Sequence, residues 1–189
     1  MTAIRKLYTS FIKIEGIVFK ILANLAVILL ALSVSSVLFQ VLYRNVLIHI
    51  LPLRAAFTEE FSRISIIWAV YLFLPICIKE GRHATVTLLI DRVKNKARYG
   101  LYFLIQGIAL SFFIVTFRYS LINIALNSTY VSPAMRLPGI FIFSSVTLGL
   151  FFATLQIALE IFGVICGILK PFSSLPDYSS DETLIKRGV

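Results

Sequence analysis

Four charged side chains stand where charge is costly. Glu59, Glu60 and Arg63 head an apolar segment that continues through Ile64 to Ile78, and Arg118 interrupts another apolar run. Such groups can do two kinds of chemistry in a membrane. They can relay a proton or cation, or they can pair and lock helices in register. Glu59 and Arg63 are spaced i,i+4 and Glu60 and Arg63 i,i+3, so a helix brings all three to neighbouring positions. Acids in a first turn also suit the helix dipole. Arg118 falls about 12 Å short of the end of its run at Leu126, a depth within reach of Glu59 or Glu60 on the preceding helix. The expectation is an interhelical clamp from Arg118 to Glu60 or Glu59. A relay needs further acids deeper in the bundle. The other acid within an apolar run, Glu160, lies about 30 Å away at the opposite end. It is expected to meet Lys20 or Lys79, or to snorkel to water.

Other chemistry is absent from the pattern. There is no HExxH, no Gly-rich phosphate loop and no nucleophile elbow. His49 and His83 fall on opposite sides of the predicted topology and cannot share a metal. Cys77 and Cys166 lack a CxxC spacing and read as packing residues. "NST" at Asn127 is a three-residue glycosylation sequon and too short to weigh. No catalytic activity, cofactor or metal is expected.

The elements that carry these charges follow from composition. The 189 residues are 59% hydrophobic and 14% charged, with mean hydropathy +0.92. A soluble domain of this size cannot hide so much apolar surface. The expected fold is all-α and integral to a membrane, with four transmembrane helices near 17–43, 58–78, 99–126 and 137–169. Each reaches the ~20 residues that span a hydrocarbon core. Residues 1–170 read as a single membrane domain and 171–189 as a flexible polar tail. The net charge of +9 is read as membrane-facing: no nucleic-acid motif accompanies it, and basic residues favour the cytoplasmic leaflet.

Lys and Arg cluster in the N-terminal arm, the middle connection and the tail. The other two connections carry Arg44, Arg54 and Arg136. This asymmetry puts both termini in the cytoplasm. Two stretches, "MTAIRKLYTSFIKIEG" and "ATVTLLIDRVKNKARYG", have apolar faces with basic borders. They are expected as amphipathic helices lying on membrane lipids, the alternative being that each extends its neighbouring span.

The string "EEFSRISIIWAVYLFLPICIKEGRHATVTLLID" resembles the small (DctQ-type) membrane subunit of tripartite ATP-independent periplasmic (TRAP) transporters. The matching residues are Glu59, Glu60, Arg63, Trp68, Gly81, His83 and Asp91. "SPAMRLP", with Pro133 and Pro138, resembles the motif before that family's last helix, and Gly149 fits the glycine that follows. Thr87, Phe73 and Thr147 depart from the usual Asp, small residue and Pro. The resemblance implies a scaffold for a large membrane subunit, a periplasmic substrate-binding protein as further partner, and cation-driven organic acid uptake at the bacterial inner membrane. Arg44, Arg54 and Arg136, with no acid between them in their loops, are candidates for docking an acidic patch of the binding protein; the alternative is solvated loop charge. A stand-alone four-helix carrier or channel, or a membrane assembly protein outside transport, are the competing functions.

Overall fold

A computed structural model describes residues 2–45, 56–80 and 95–169. Four helices account for most of them: α1 (Thr2–Asn45), α2 (Ala56–Lys79), α3 (Asn95–Leu126) and α4 (Gly139–Ile165). All four contain segments long and apolar enough to cross a membrane. Three expectations fall wholly or largely outside the described residues: the amphipathic stretch 84–100, of which only 95–100 are described, as the start of α3; the tail; and the positions of Arg54, Gly81, His83 and Asp91.

The N-terminal amphipathic stretch is helical but is not a separate element. It runs unbroken into the first span, making α1 44 residues long. No Pro, and only the single Gly16, interrupts it, so nothing in the stretch stops helix propagation. At ~1.5 Å per residue α1 is roughly twice the thickness of a hydrocarbon core. It therefore extends well beyond the bilayer or tilts strongly. At the other end of the chain, α4 stops at Ile165 rather than near 169. Gly167 takes φ +67, and the Gly163 carbonyl accepts from the amides of Ile168 and Leu169. A left-handed glycine that closes the orphan carbonyls is a helix stop.

The helices do not form a closed bundle. α1 packs on α2, α2 on α4, and α4 on α3. The chain order thus becomes a row in space, α1–α2–α4–α3, with α2 and α4 inside. Burial follows this arrangement: the apolar spans of α2 and α4 are far more buried than those of α1 and α3.

Why α2 can serve two neighbours is visible in its spacing. Thr58, Ser62, Ser65, Ala69, Leu72 and Ile76 are all buried and recur at alternating steps of four and three. That 3.5-residue period is the seam of two helices packed at a small crossing angle. The partner row on α1 is Glu15, Phe19, Ala26 and Ser33, also buried. Small residues on both sides let the backbones approach. Ser33 Oγ then lies 3.0 Å from the Ser62 carbonyl and 2.9 Å from its hydroxyl. Ser36 Oγ donates to the Thr58 carbonyl at 2.9 Å. Ala26, Ala69 and Leu72 form the apolar centre of the pair.

A second row, Ile64, Trp68, Tyr71, Pro75 and Ile78, has the same period and turns toward α4. Trp68 stacks obliquely on Phe141, ring centroids 5.2 Å apart. Ile78 joins Ala153 and Ile157 in one cluster, against which Ala109, Leu110 and Phe113 of α3 also pack. Between these contacts Gly149 meets the backbone of Tyr71 so closely that a Cβ would overlap the Tyr71 carbonyl. That carbonyl is the acceptor that Pro75, lacking an N–H, leaves without its helical donor. The α-hydrogen that stands in place of that Cβ points at the carbonyl oxygen, and a Cα–H···O contact is worth about 0.5–1 kcal/mol. A proline on one helix and a glycine on the next thus complete one another.

Candidate functional site

The charge-bearing residues gather in two groups, near opposite ends of the helices along their length. At the first, α2 begins at Ala56 and places Glu59 in its first turn. Arg63 Nη2 donates to Glu59 Oε1 at 3.1 Å. Both side chains are largely exposed, 70% and 61%, so the pair adds little to stability.

Glu60 has another partner. Its Oε2 accepts from the backbone amides of Ala134 and Met135, both at 2.8 Å. The Ser132 hydroxyl faces the same carboxylate. Two consecutive N–H groups converging on one oxygen make a small anion nest, and each bond is charge-assisted. The nest exists because the α3–α4 loop is tightly folded. Ser132 N donates to the Leu137 carbonyl at 2.9 Å, and Gly139 N to the Tyr130 carbonyl at 2.7 Å. The buried Ser132 hydroxyl accepts from Leu137 N at 3.2 Å. Arg136 takes φ 54, a left-handed conformation that costs a non-glycine residue energy and which the surrounding bonds maintain. Pro133 and Pro138 flank the segment 134–137 that carries the two amides, and Pro138 precedes the first residue of α4.

The expected clamp from Arg118 to Glu60 or Glu59 is not formed. Arg118 lies on α3, which packs against α4 while α4 separates it from α2. Depth alone put Arg118 within reach, and the lateral order of helices removes it. The clamp at this end joins Glu60 to loop amides that no sequence motif marks as donors.

At the second end a different ion pair joins helices. Lys79 Nζ donates to Glu15 Oε1 at 2.8 Å; the Glu15 side chain is only 7% exposed. Lys79 also lies over the Phe19 ring, 5.1 Å from its centroid. Glu15 was missed as a site residue because it sits in a stretch read as interfacial. The signal that finds it is the 3.5-residue row from Glu15 through Phe19, Ala26 and Ser33, facing Lys79 at the end of the α2 row.

Glu160 does not meet Lys20 or Lys79. Gln106 of α3 donates to its Oε2 at 3.0 Å, and Gln156, one turn earlier on α4, to its Oε1 at 3.2 Å. Lys79 is drawn instead to the nearly buried Glu15. Two amides thus satisfy the carboxylate within the α3–α4 seam.

Of the basic residues considered for docking, Arg44 is exposed in the last turn of α1 and Arg136 is exposed on the α3–α4 loop. An open crevice of about 680 Å³ adjoins the Glu60 nest, lined by Phe57, Glu59, Arg63, Ile67, Tyr130 and Phe143 among others. Among the described residues no group of His, Cys, Asp and Glu could hold a metal ion.

This arrangement belongs to a helical membrane protein whose polar groups join elements to one another. The chain matches the family of tripartite ATP-independent periplasmic transporters, DctQ component, over residues 33–167. It belongs to that family, a family of transporter components, and is a multi-pass inner-membrane protein. Among curated proteins, it is similar to the isethionate TRAP transporter permease protein DctMQ of Oleidesulfovibrio alaskensis, 32% identical over 104 residues. That match covers 53% of this chain and 16% of the relative, a much longer protein.

Proposed function

We propose that this chain is the small scaffold subunit of a secondary-active transporter for organic acid anions. It supports a large membrane subunit that carries the substrate pathway, and it helps dock a periplasmic substrate-binding protein. The observation that carries this reading is the family match over residues 33–167 on a chain whose buried carboxylates, among the described residues, are committed to structural partners. The row of four helices supports it further. α1 and α3 keep most of their apolar surface exposed, which suits a subunit flanked by another membrane protein and lipid. In the longer relative the matched region is 16% of one polypeptide, as expected if such a region works beside a larger permease portion.

In this reading the Glu60 end faces the periplasm and both termini the cytoplasm, following the distribution of Lys and Arg. The α3–α4 loop then presents Arg136 on the same side of the membrane as Arg44 and the connection that carries Arg54, toward an acidic patch of the binding protein. The test is uptake of a labelled organic acid into liposomes holding the large subunit, with the binding protein outside. Omitting this chain abolishes uptake, and reconstituting this chain alone gives none. Uptake by this chain alone would overturn the scaffold assignment. Charge reversal at Arg54 and Arg136 together lowers uptake at limiting binding protein, and unchanged uptake would remove the docking role.

A further inference from the structure

One face of α3 does not suit a lipid boundary. α3 meets α4 through Tyr102, Gln106, Ala109, Phe113 and Phe117. At about 100° per residue, Gly100, Leu104, Gly107, Ser111, Ile114 and Arg118 form one line roughly 140° away from that packed side. All six are exposed. A Cβ added at Gly100 or Gly107 would meet nothing within 4 Å, so the line is a shallow groove. The Ser111 hydroxyl donates to the Gly107 carbonyl at 2.8 Å and is already satisfied within its own helix.

Arg118 lies on this groove with no ion pair or hydrogen bond among the described residues. The acids near the same end of the helices are committed elsewhere: Glu59 to Arg63, and Glu60 to the loop amides. Glu15, Glu80 and Glu160 lie toward the opposite end. Acyl chains gain nothing from glycines and cannot satisfy a guanidinium. A second helix gains from both, since small residues admit its backbone and Arg118 can take a carboxylate bidentately.

We propose that this face of α3 receives a transmembrane helix of the large subunit, bearing an Asp or Glu at the depth of Arg118. The partner's identity rests on the function proposed above; the face, the close approach and the acid follow from the groove and its unpaired cation.

The experiment uses the full chain co-expressed with its large subunit, with a photo-crosslinking amino acid at Gly107 or at Phe112. Phe112 is equally lipid-accessible, 62% exposed, but lies about 120° around the helix from the line. The expected result is an adduct with the large subunit from position 107 and none from 112. Arg118→Leu reduces co-purified large subunit at least ten-fold and leaves this chain's own membrane level unchanged. Arg118→Glu is restored by an acid-to-Arg change on the crosslinked helix. Adducts from 112 instead of 107, adducts at 107 with phospholipid alone or with a second copy of this chain, or full retention by Arg118→Leu would each overturn the inference and leave the scaffold role standing. Failure of the unmodified pair to co-purify would overturn both.

Discussion

Glu59 and Glu60 are adjacent and chemically alike, yet their partners differ. Glu59 holds an exposed Arg63 on its own helix, whereas Glu60 holds two amides some 75 positions away in sequence. Losing Glu59 leaves nothing buried without a partner, so Glu59→Gln is expected to leave the protein's thermal stability in detergent unchanged. Losing Glu60 frees the loop. With Ala134→Cys as reporter, a membrane-impermeant maleimide should react several-fold faster in a Glu60→Ala background. Glu60→Gln should fall between, because an amide oxygen still accepts but without charge assistance. Equal labelling in all three would show that the loop holds its shape without Glu60. The i,i+4 pair was legible in the spacing. The amide partners were not, because backbone donors carry no residue type.

At the scale of the element, α2 is the keystone. Its two rows at 3.5-residue spacing were present in the sequence but inconspicuous, since nearly every position between them is apolar too. In a membrane span amphipathicity no longer separates inside from outside, and small residues become the better signal. Ser33 and Ser36 of α1, both bonded to α2, are residues of that kind. The pairing of Pro75 with Gly149 was not legible in the sequence, because it joins residues from two helices. Gly149→Ala forces α2 and α4 apart and should destabilise the protein by about 1–3 kcal/mol, as overpacked sites do. Thermal unfolding in detergent would measure it. Pro75→Ala restores a donor for the Tyr71 carbonyl within α2, so Gly149→Ala should cost less in that background, where the carbonyl keeps a partner after the helices separate. Strict additivity in the double variant would show that the proline and glycine act independently.

For the whole molecule, the decisive feature is the open row of helices. Opposite ends of its helices are tied by different means: Glu60 to a loop at one, and Glu15 to Lys79 at the other. Lys79→Met leaves the nearly buried Glu15 unpaired, and is expected to cost up to ~3 kcal/mol. Glu15→Leu with Lys79→Met should recover most of that loss, measurable as a coupling in a double-mutant cycle. Absence of coupling would mean that the pair is incidental to α1–α2 packing. The row also explains why α3 is almost bare. Among the described residues it packs chiefly on α4, and its opposite face carries Arg118 in the groove assigned to the large subunit.

The sequence by itself determined the class, the number of spans, the absence of catalytic motifs and the family. These depend on composition, run length and local motif, which need no knowledge of neighbours. It also placed Glu59, Glu60 and Arg63 in the opening turns of α2, because helical rise converts position into depth. Only the tertiary structure decided who meets whom. Depth is one coordinate, and the order of helices across the membrane is another that spacing along a chain does not contain. Arg118 had the right depth and the wrong neighbour. Lys79 met Glu15 rather than Glu160, and Glu60 met backbone amides that a folded loop alone could aim at it.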